Sequence, residues 1–234
     1  MRADEFLNEG INDKGIFKCL FLGGVPASGK STFASQAASI CDEKPKILNF
    51  DQFYEYLSAK HDIPISSKAD TDSEEGHELR HRAKELTVAQ LRNYMNGMLP
   101  LIVDTSAATV ASLIERSSII RSHGYDIMMI YKTVDVETAI DRAAKRERYV
   151  DKEYIEKMHK VEEYKIDELA AFFKEKNSPF MVVDDSTVAN ALKTTSKFFS
   201  SPVANPIGVR KIEKLTALKQ KTSAIRSSRA SQWY

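Results

Sequence analysis

The chain has 234 residues, 42% of them hydrophobic and 29% charged, with 34 lysines and arginines against 33 aspartates and glutamates. That composition supports a real core and excludes a disordered polyelectrolyte. No run reaches the roughly 18 apolar residues of a membrane span, and the start Met1-Arg2-Ala3-Asp4-Glu5 lacks the apolar stretch of a secretion signal, so a cytoplasmic protein without membrane association is expected.

Taken in chain order, short apolar runs alternate with helical stretches. The first run, Ile16 to Leu22, is continuous enough to be a buried strand, and the lone Cys19 inside it, like Cys41 at a helix end, suits a reduced thiol. It leads into Gly24-Val25-Pro26-Ala27-Ser28-Gly29-Lys30-Ser31, a glycine, four residues and then Gly-Lys-Ser. In that pattern glycines let backbone N–H groups face a β-phosphate, the lysine reaches the β and γ oxygens, and the serine ligates magnesium. Gly24, Ala27, Ser28, Gly29, Lys30, Ser31 and Thr32 are therefore the expected nucleotide contacts, at the positive dipole end of a helix over 30–41.

The second run, Lys46 to Phe50, places Asp51 of "ILNFDQF" at the carboxyl end of a strand. A carboxylate there can orient and deprotonate an acceptor hydroxyl, which would separate a transferase from a switch or motor built on the same loop. Its bland alternative is a cap for the following helix. The polar segment 66–76, "SSKADTDSEEG", reads as a flexible insertion. Within the next helix, over 75–97, His77-Glu78-Leu79-Arg80-His81 matches a zinc-hydrolase signature in which Glu78 would activate water. The charges at Glu74, Glu75, Arg82 and Lys84 and the lack of a third ligand make that a remote alternative.

The third run, Leu101 to Val103, ends in Asp104, followed by Thr105 and Ser106. Asp104 is expected to hold a magnesium shell with Ser31, to lie in an acceptor pocket, or to cap a helix over 108–122. After the fourth run, Asp126 to Tyr131, a helix over 135–148 carries Arg142 and Arg146 at i, i+4 spacing on one face, with Lys145 and Arg148 close by. That cluster fits a mobile lid whose cations offset charge on a moving phosphoryl group. Helices over 152–176 and 187–199 flank the fifth run, Phe180 to Val183, while His61, His123 and His159 read as surface residues. Strands alternating with helices form a parallel sheet covered on both faces, with ligands at the carboxyl ends of the strands. Gly23-Gly24, Asp51 and Asp104 should converge on that edge.

These motifs resemble the P-loop kinases grouped around polynucleotide 5′-kinases and zeta toxins. "FLGGVPASGKST" matches their nucleotide loop, "LNFD" their acceptor-side acid, "LIVDTS" their third-strand acid and "GYDIMMIYKTVDVETAIDRAAKRER" their fourth strand and arginine lid. The resemblance spans Ile16 to Asp184 and implies a three-layer α/β/α fold with a five-stranded parallel sheet and an arginine-bearing lid. It also implies ATP with Mg2+ as donor and phosphorylation of a hydroxyl, on a nucleic-acid 5′ end or nucleotide or, as in zeta toxins, on a UDP-linked amino sugar. Carried over by position, Lys30, Asp51, Arg142 and Arg146 are catalytic, and Ser31 with Asp104 is the metal site. One departure stands out: both families tend to have an arginine shortly after the second-strand acid, where this chain has Gln52, Phe53 and Tyr54. An NTPase switch or binding module, with Gln52 positioning water, is the rival class.

Residues 1–200 are expected to form the kinase domain and 201–234 a basic C-terminal tail. From Ser201 onward seven basic residues face the single acid Glu213, a net of +6, which leaves 27 basic and 32 acidic residues, −5, in the rest. With Trp233 and Tyr234 available for stacking, the tail could hold a nucleic-acid strand; the simpler expectation is a disordered or loosely docked extension.

Overall fold

The structure, a computed structural model, describes residues 15–105, 109–146 and 148–230, the last eight of these as helical backbone only. Five parallel strands, β1 (Lys18–Gly24), β2 (Lys46–Asn49), β3 (Leu101–Asp104), β4 (Asp126–Lys132) and β5 (Phe180–Val183), form one sheet in the order β2-β3-β1-β4-β5. The continuously apolar β1 is central, and all seven of its residues are buried. Its side chains alternate between two cores, as a period of two requires. Leu20 and Leu22 pack with Ile102, Met128 and Ile130 beneath α1 (Lys30–Ile40). Cys19 and Phe21 join Leu101, Val103, Ile127 and Met129 on the opposite face.

Two helices lie over β2 and its loop: α2 (Phe50–His61), and α4 (Glu74–Asn96) after the five-residue α3 (Lys68–Asp72). The polar segment expected to be a flexible insertion is instead folded. Ser67 and Asp70 form a reciprocal capping box at α3, and the Ser73 hydroxyl accepts from Gly76 N at the start of α4. Val110, Leu113 and Ile120 of α5 (Val110–Ser122) complete that face with Leu169 and Phe173 of α8 (Glu162–Glu175). Phe199 of α9 (Val188–Ser200) belongs to the α1 face.

The single helix expected over 152–176 is broken. α7 (Lys152–Lys160) and α8 separate at Val161, because Ile155 of α7 packs with Ala139 and Ala143 of α6 (Val136–Ala144) while α8 serves the main core. One straight helix cannot reach both clusters. His159, expected at the surface, is half-buried at this break, its Nδ1 3.4 Å from a Glu162 carboxylate oxygen.

The chain beyond Ser201 does not leave the body at once. The Asp126 carboxylate accepts from the backbone N–H of Ala204 and Asn205, and the Asn205 amide donates to the carbonyls of Arg121 and Tyr125. Val203 and Ile212 pack on the core at the start of α10 (Pro206–Ala230), which corrects a loosely docked tail for that stretch. Trp233 and Tyr234, the stacking pair expected in the tail, lie outside the described residues, as does Ser106. Cys19 and Cys41 are buried free thiols, and burial raises the pKa of each. Among the described residues no helix is long and apolar enough to cross a membrane.

Candidate phosphate and acceptor cleft

Between β1 and α1 the backbone curls through three left-handed residues, Gly24 (φ 139°), Ala27 (φ 60°) and Gly29 (φ 92°). Such a turn aims successive N–H groups into one concavity. Gly24 is constrained twice, since a Cβ there would collide with the carbonyl oxygen of Lys132 on neighbouring β4. Gly24→Ala should therefore cost about 1–3 kcal/mol from backbone strain alone, before the collision; a thermal midpoint matching that of the parent protein would refute this account. The N-cap of α1 is Gly29, which has no side chain to satisfy the first turn, and no acid lies in that turn. The first-turn N–H groups of α1 are thus left for an anion. Ser28 Oγ is buried in the loop without a protein partner among the described residues.

Lys30 folds back over its own loop, with Nζ donating to the carbonyls of Val25 (2.7 Å) and Gly24 (3.2 Å). Burial pushes its pKa down to about 8, against the pull of the Asp104 carboxylate. Ser31 Oγ donates to Asp104 Oδ2 at 2.8 Å, and Asn49 Nδ2 donates to the same oxygen at 2.8 Å. Burial raises the Asp104 pKa, opposed first by Lys30. The ends of β1, β2 and β3 thus converge as expected, and Asp104 faces Ser31 instead of capping a helix.

Asn49, a residue the sequence reading passed over, also settles what Asp51 is free to do. Its side chain accepts from Asp51 N at 2.7 Å and is the N-cap of α2. With the cap supplied by Asn49, the Asp51 carboxylate projects into the cleft and meets Arg148 in a two-pronged pair, Nη1 to Oδ1 at 2.8 Å and Nη2 to Oδ2 at 2.7 Å. The guanidinium missing after Asp51 in sequence arrives from 97 positions away. Gln52 is exposed and is not among the cleft-lining residues.

Arg142 and Arg146 do not share a helical face. α6 stops at Ala144, well short of the expected 148, so only Arg142 sits on it. Arg142 Nη2 donates to Asp185 after β5 at 2.8 Å, and the buried Lys132 donates to the other oxygen of that carboxylate at 2.6 Å. A Cβ built at Gly29 would lie 3.9 Å from Arg142 Nη1, which puts that guanidinium over the start of α1. Arg146, past the helix end, lines the cleft with Arg148. The connector is drawn across the cleft because Tyr149 N donates to Ile65 O at 3.0 Å and Lys68 pairs with Asp151 at 3.4 Å.

Lys30, Ser31, Asp51 and Asp104 all line one cleft of about 820 Å³. It is large enough for a small acceptor beside a triphosphate. His77, Glu78 and His81, by contrast, are exposed on α4, and His81 Nδ1 lies 3.6 Å from Glu85. Among the described residues no three His, Cys, Asp or Glu side chains are gathered for a metal.

Comparison with known proteins agrees with this architecture. The model of the family AAA_33, described as an AAA domain, matches residues 20–184. A protein from Chloroflexus aurantiacus described as a candidate kinase is 12% identical, with a TM-score of 0.53 over 78% of this chain and 98% of its own. A chain of the Pnkp1/Rnl/Hen1 RNA repair complex is 21% identical, with a TM-score of 0.51 over 67% of this chain, which spans 47% of that longer one. The PezAT toxin-antitoxin structure from Streptococcus pneumoniae is 14% identical, with a TM-score of 0.50 over 93% of each chain. At these identities the likeness is one of fold. No curated protein matches the chain.

Proposed function

We propose that this chain, which belongs to the AAA domain family AAA_33, is a P-loop phosphotransferase that moves the γ-phosphoryl group of ATP to a hydroxyl of a nucleic-acid end or nucleotide. The observation that carries this reading is the Asp51 carboxylate, spared from the helix cap and lining the same cleft as Lys30. A switch that only hydrolyses NTP needs a group to orient water but no acceptor-sized cleft beside it.

In this reading the loop of Gly24, Ala27, Ser28 and Gly29 and the first turn of α1, Lys30 to Thr32, hold the phosphates, with the Lys30 ammonium on the β and γ oxygens. Ser31 Oγ and Asp104, two oxygen donors 2.8 Å apart beside that turn, suit a hard cation such as Mg2+, directly or through water. When bound, that ion neutralises charge on the β and γ oxygens. Asp51 accepts the acceptor's proton as the hydroxyl oxygen bonds to the γ-phosphorus and the bond to the β,γ-bridging oxygen breaks, releasing ADP. Arg142 and Arg146 offset charge on the moving group. Before that, Arg148 must share or give up its grip on Asp51.

The test is radiolabelled γ-phosphate offered with 5′-hydroxyl oligonucleotides, nucleotides and UDP-sugars; labelling of none of them, with ATP still bound, would refute the transferase reading. The depressed Lys30 pKa adds a signed prediction. Above about pH 8 the empty protein has lost much of that lysine's proton, and a bound triphosphate favours the charged form, so binding takes protons up. Calorimetry at about pH 9 in buffers of different ionisation enthalpy should read an uptake of up to about one proton, fading towards none near neutral pH.

A further inference from the structure

We infer that Asp185, fixed by the buried Lys132, is a positioning residue that holds the Arg142 guanidinium over the phosphate loop; this rests on the reading of that loop as a nucleotide site and adds to it a residue that no motif singled out. Three elements meet here. Lys132 ends β4, where it pairs in register with Gly24 of the loop, and its side chain is 3% exposed. Its Nζ donates at 2.6 Å to Asp185 Oδ1, in the turn after β5. Asp185 Oδ2 accepts from Arg142 Nη2 at 2.8 Å, and Arg142 Nη1 lies over Gly29. The helix that carries this arginine is docked on the same loop, since Ala139 and Ala143 of α6 pack with Ala27.

The two ends of this clasp differ in what they can do. Asp185 and Arg142 are 57% and 38% exposed, and a lone ion pair at that exposure contributes little. Lys132 changes this: its ammonium is buried, and losing the carboxylate would strand the charge. Asp185 is therefore held from behind, and hydrogen bonds from Lys132 and then Arg142 lower its pKa, which keeps it charged. The Arg142 charge also reaches Asp135, whose carboxylate caps α6 by accepting from Thr138 N. A guanidinium is a rigid planar fork, so fixing Nη2 leaves Nη1 presented to an anion at the start of α1. An arginine free in solvent gives up rotamer entropy when an anion orders it, and one already ordered does not.

The experiment measures the affinity of a non-hydrolysable ATP analogue with magnesium for the parent, Asp185→Asn, Arg142→Gln and the two combined. Arg142→Gln should weaken binding about tenfold or more, the scale of one charge-assisted hydrogen bond. Asp185→Asn keeps an oxygen for Lys132 and should weaken binding several-fold, although it removes a negative charge from beside a triphosphate, which by Coulomb's law alone would tighten it. In the Arg142→Gln background the same change should alter affinity by less than about twofold, since nothing is left to position. The paired variant Lys132→Met with Asp185→Asn leaves no stranded ammonium and no change in net charge, and it carries the same comparison if Asp185→Asn alone does not fold. Tighter or unchanged binding on losing the carboxylate would overturn the inference, and so would a loss that simply adds to that of Arg142→Gln. The comparison reads nucleotide binding, so it stands even if no acceptor is ever labelled, an outcome that removes the transferase reading alone. With an acceptor that the parent does label, Asp185→Asn should lower kcat several-fold and leave the acceptor KM within about twofold; a raised acceptor KM with unchanged kcat would overturn the inference.

Discussion

Lys30→Ala is expected to abolish transfer, with a loss on the order of a thousandfold or more in turnover, since in the proposed mechanism it removes the ammonium that holds the β and γ oxygens. The fold should survive. Among the described residues Lys30 contributes two hydrogen bonds, both to carbonyls of its own loop, and the residues packed beneath it, Phe33, Ala34 and Ala37, are untouched. A thermal midpoint near that of the parent, together with weakened binding of a non-hydrolysable ATP analogue, would place the defect in the phosphate site. Transfer within tenfold of the parent would show that Lys30 has no such role.

Asp51→Asn is expected to lower turnover by about a hundredfold or more while leaving the acceptor KM much less affected. The amide keeps the shape of the carboxylate and cannot take the acceptor's proton. Two features make this variant informative. The cap of α2 belongs to Asn49, so the helix start stays satisfied. The ion pair it breaks is partly exposed on both sides and contributes about 0–1 kcal/mol to stability, so loss of folding cannot mimic loss of chemistry. Arg148→Gln breaks the same pair from the other end and should cost distinctly less in turnover. Equal losses from the two substitutions would mean that the pair matters for its shape and that Asp51 is not the base. Normal transfer by Asp51→Asn would reject the base directly.

How much of this was legible in the sequence depends on how far apart the cooperating residues lie. The phosphate loop could be read because all its parts fall within eight positions, Gly24 to Ser31, and because backbone conformation there depends on glycine more than on neighbours. The strands could be read because burial on both faces demands an unbroken apolar run, and carboxyl-end placement then put Asp51 and Asp104 at the working edge. Local pattern failed where two signals of the same kind competed. Helical periodicity continued past Ala144 and across Val161, yet the chain turned at both, because Tyr149 is held by Ile65 and because α7 and α8 serve different cores. The polar segment after α2 looked structureless because capping residues such as Ser67, Asp70 and Ser73 are also loop residues.

By itself, then, the sequence determined the phosphate-binding turn, the five parallel strands and the two acids at their ends, since each is written in neighbouring residues through period, glycine placement and charge. Only the tertiary structure decided that Asn49 frees Asp51 from capping, that Arg148 supplies the guanidinium opposite it, that Arg142 and Arg146 part company, and that Asp185 joins Lys132 to Arg142. Those relations join side chains up to 97 positions apart, and they exist only once the sheet and its covering helices have packed.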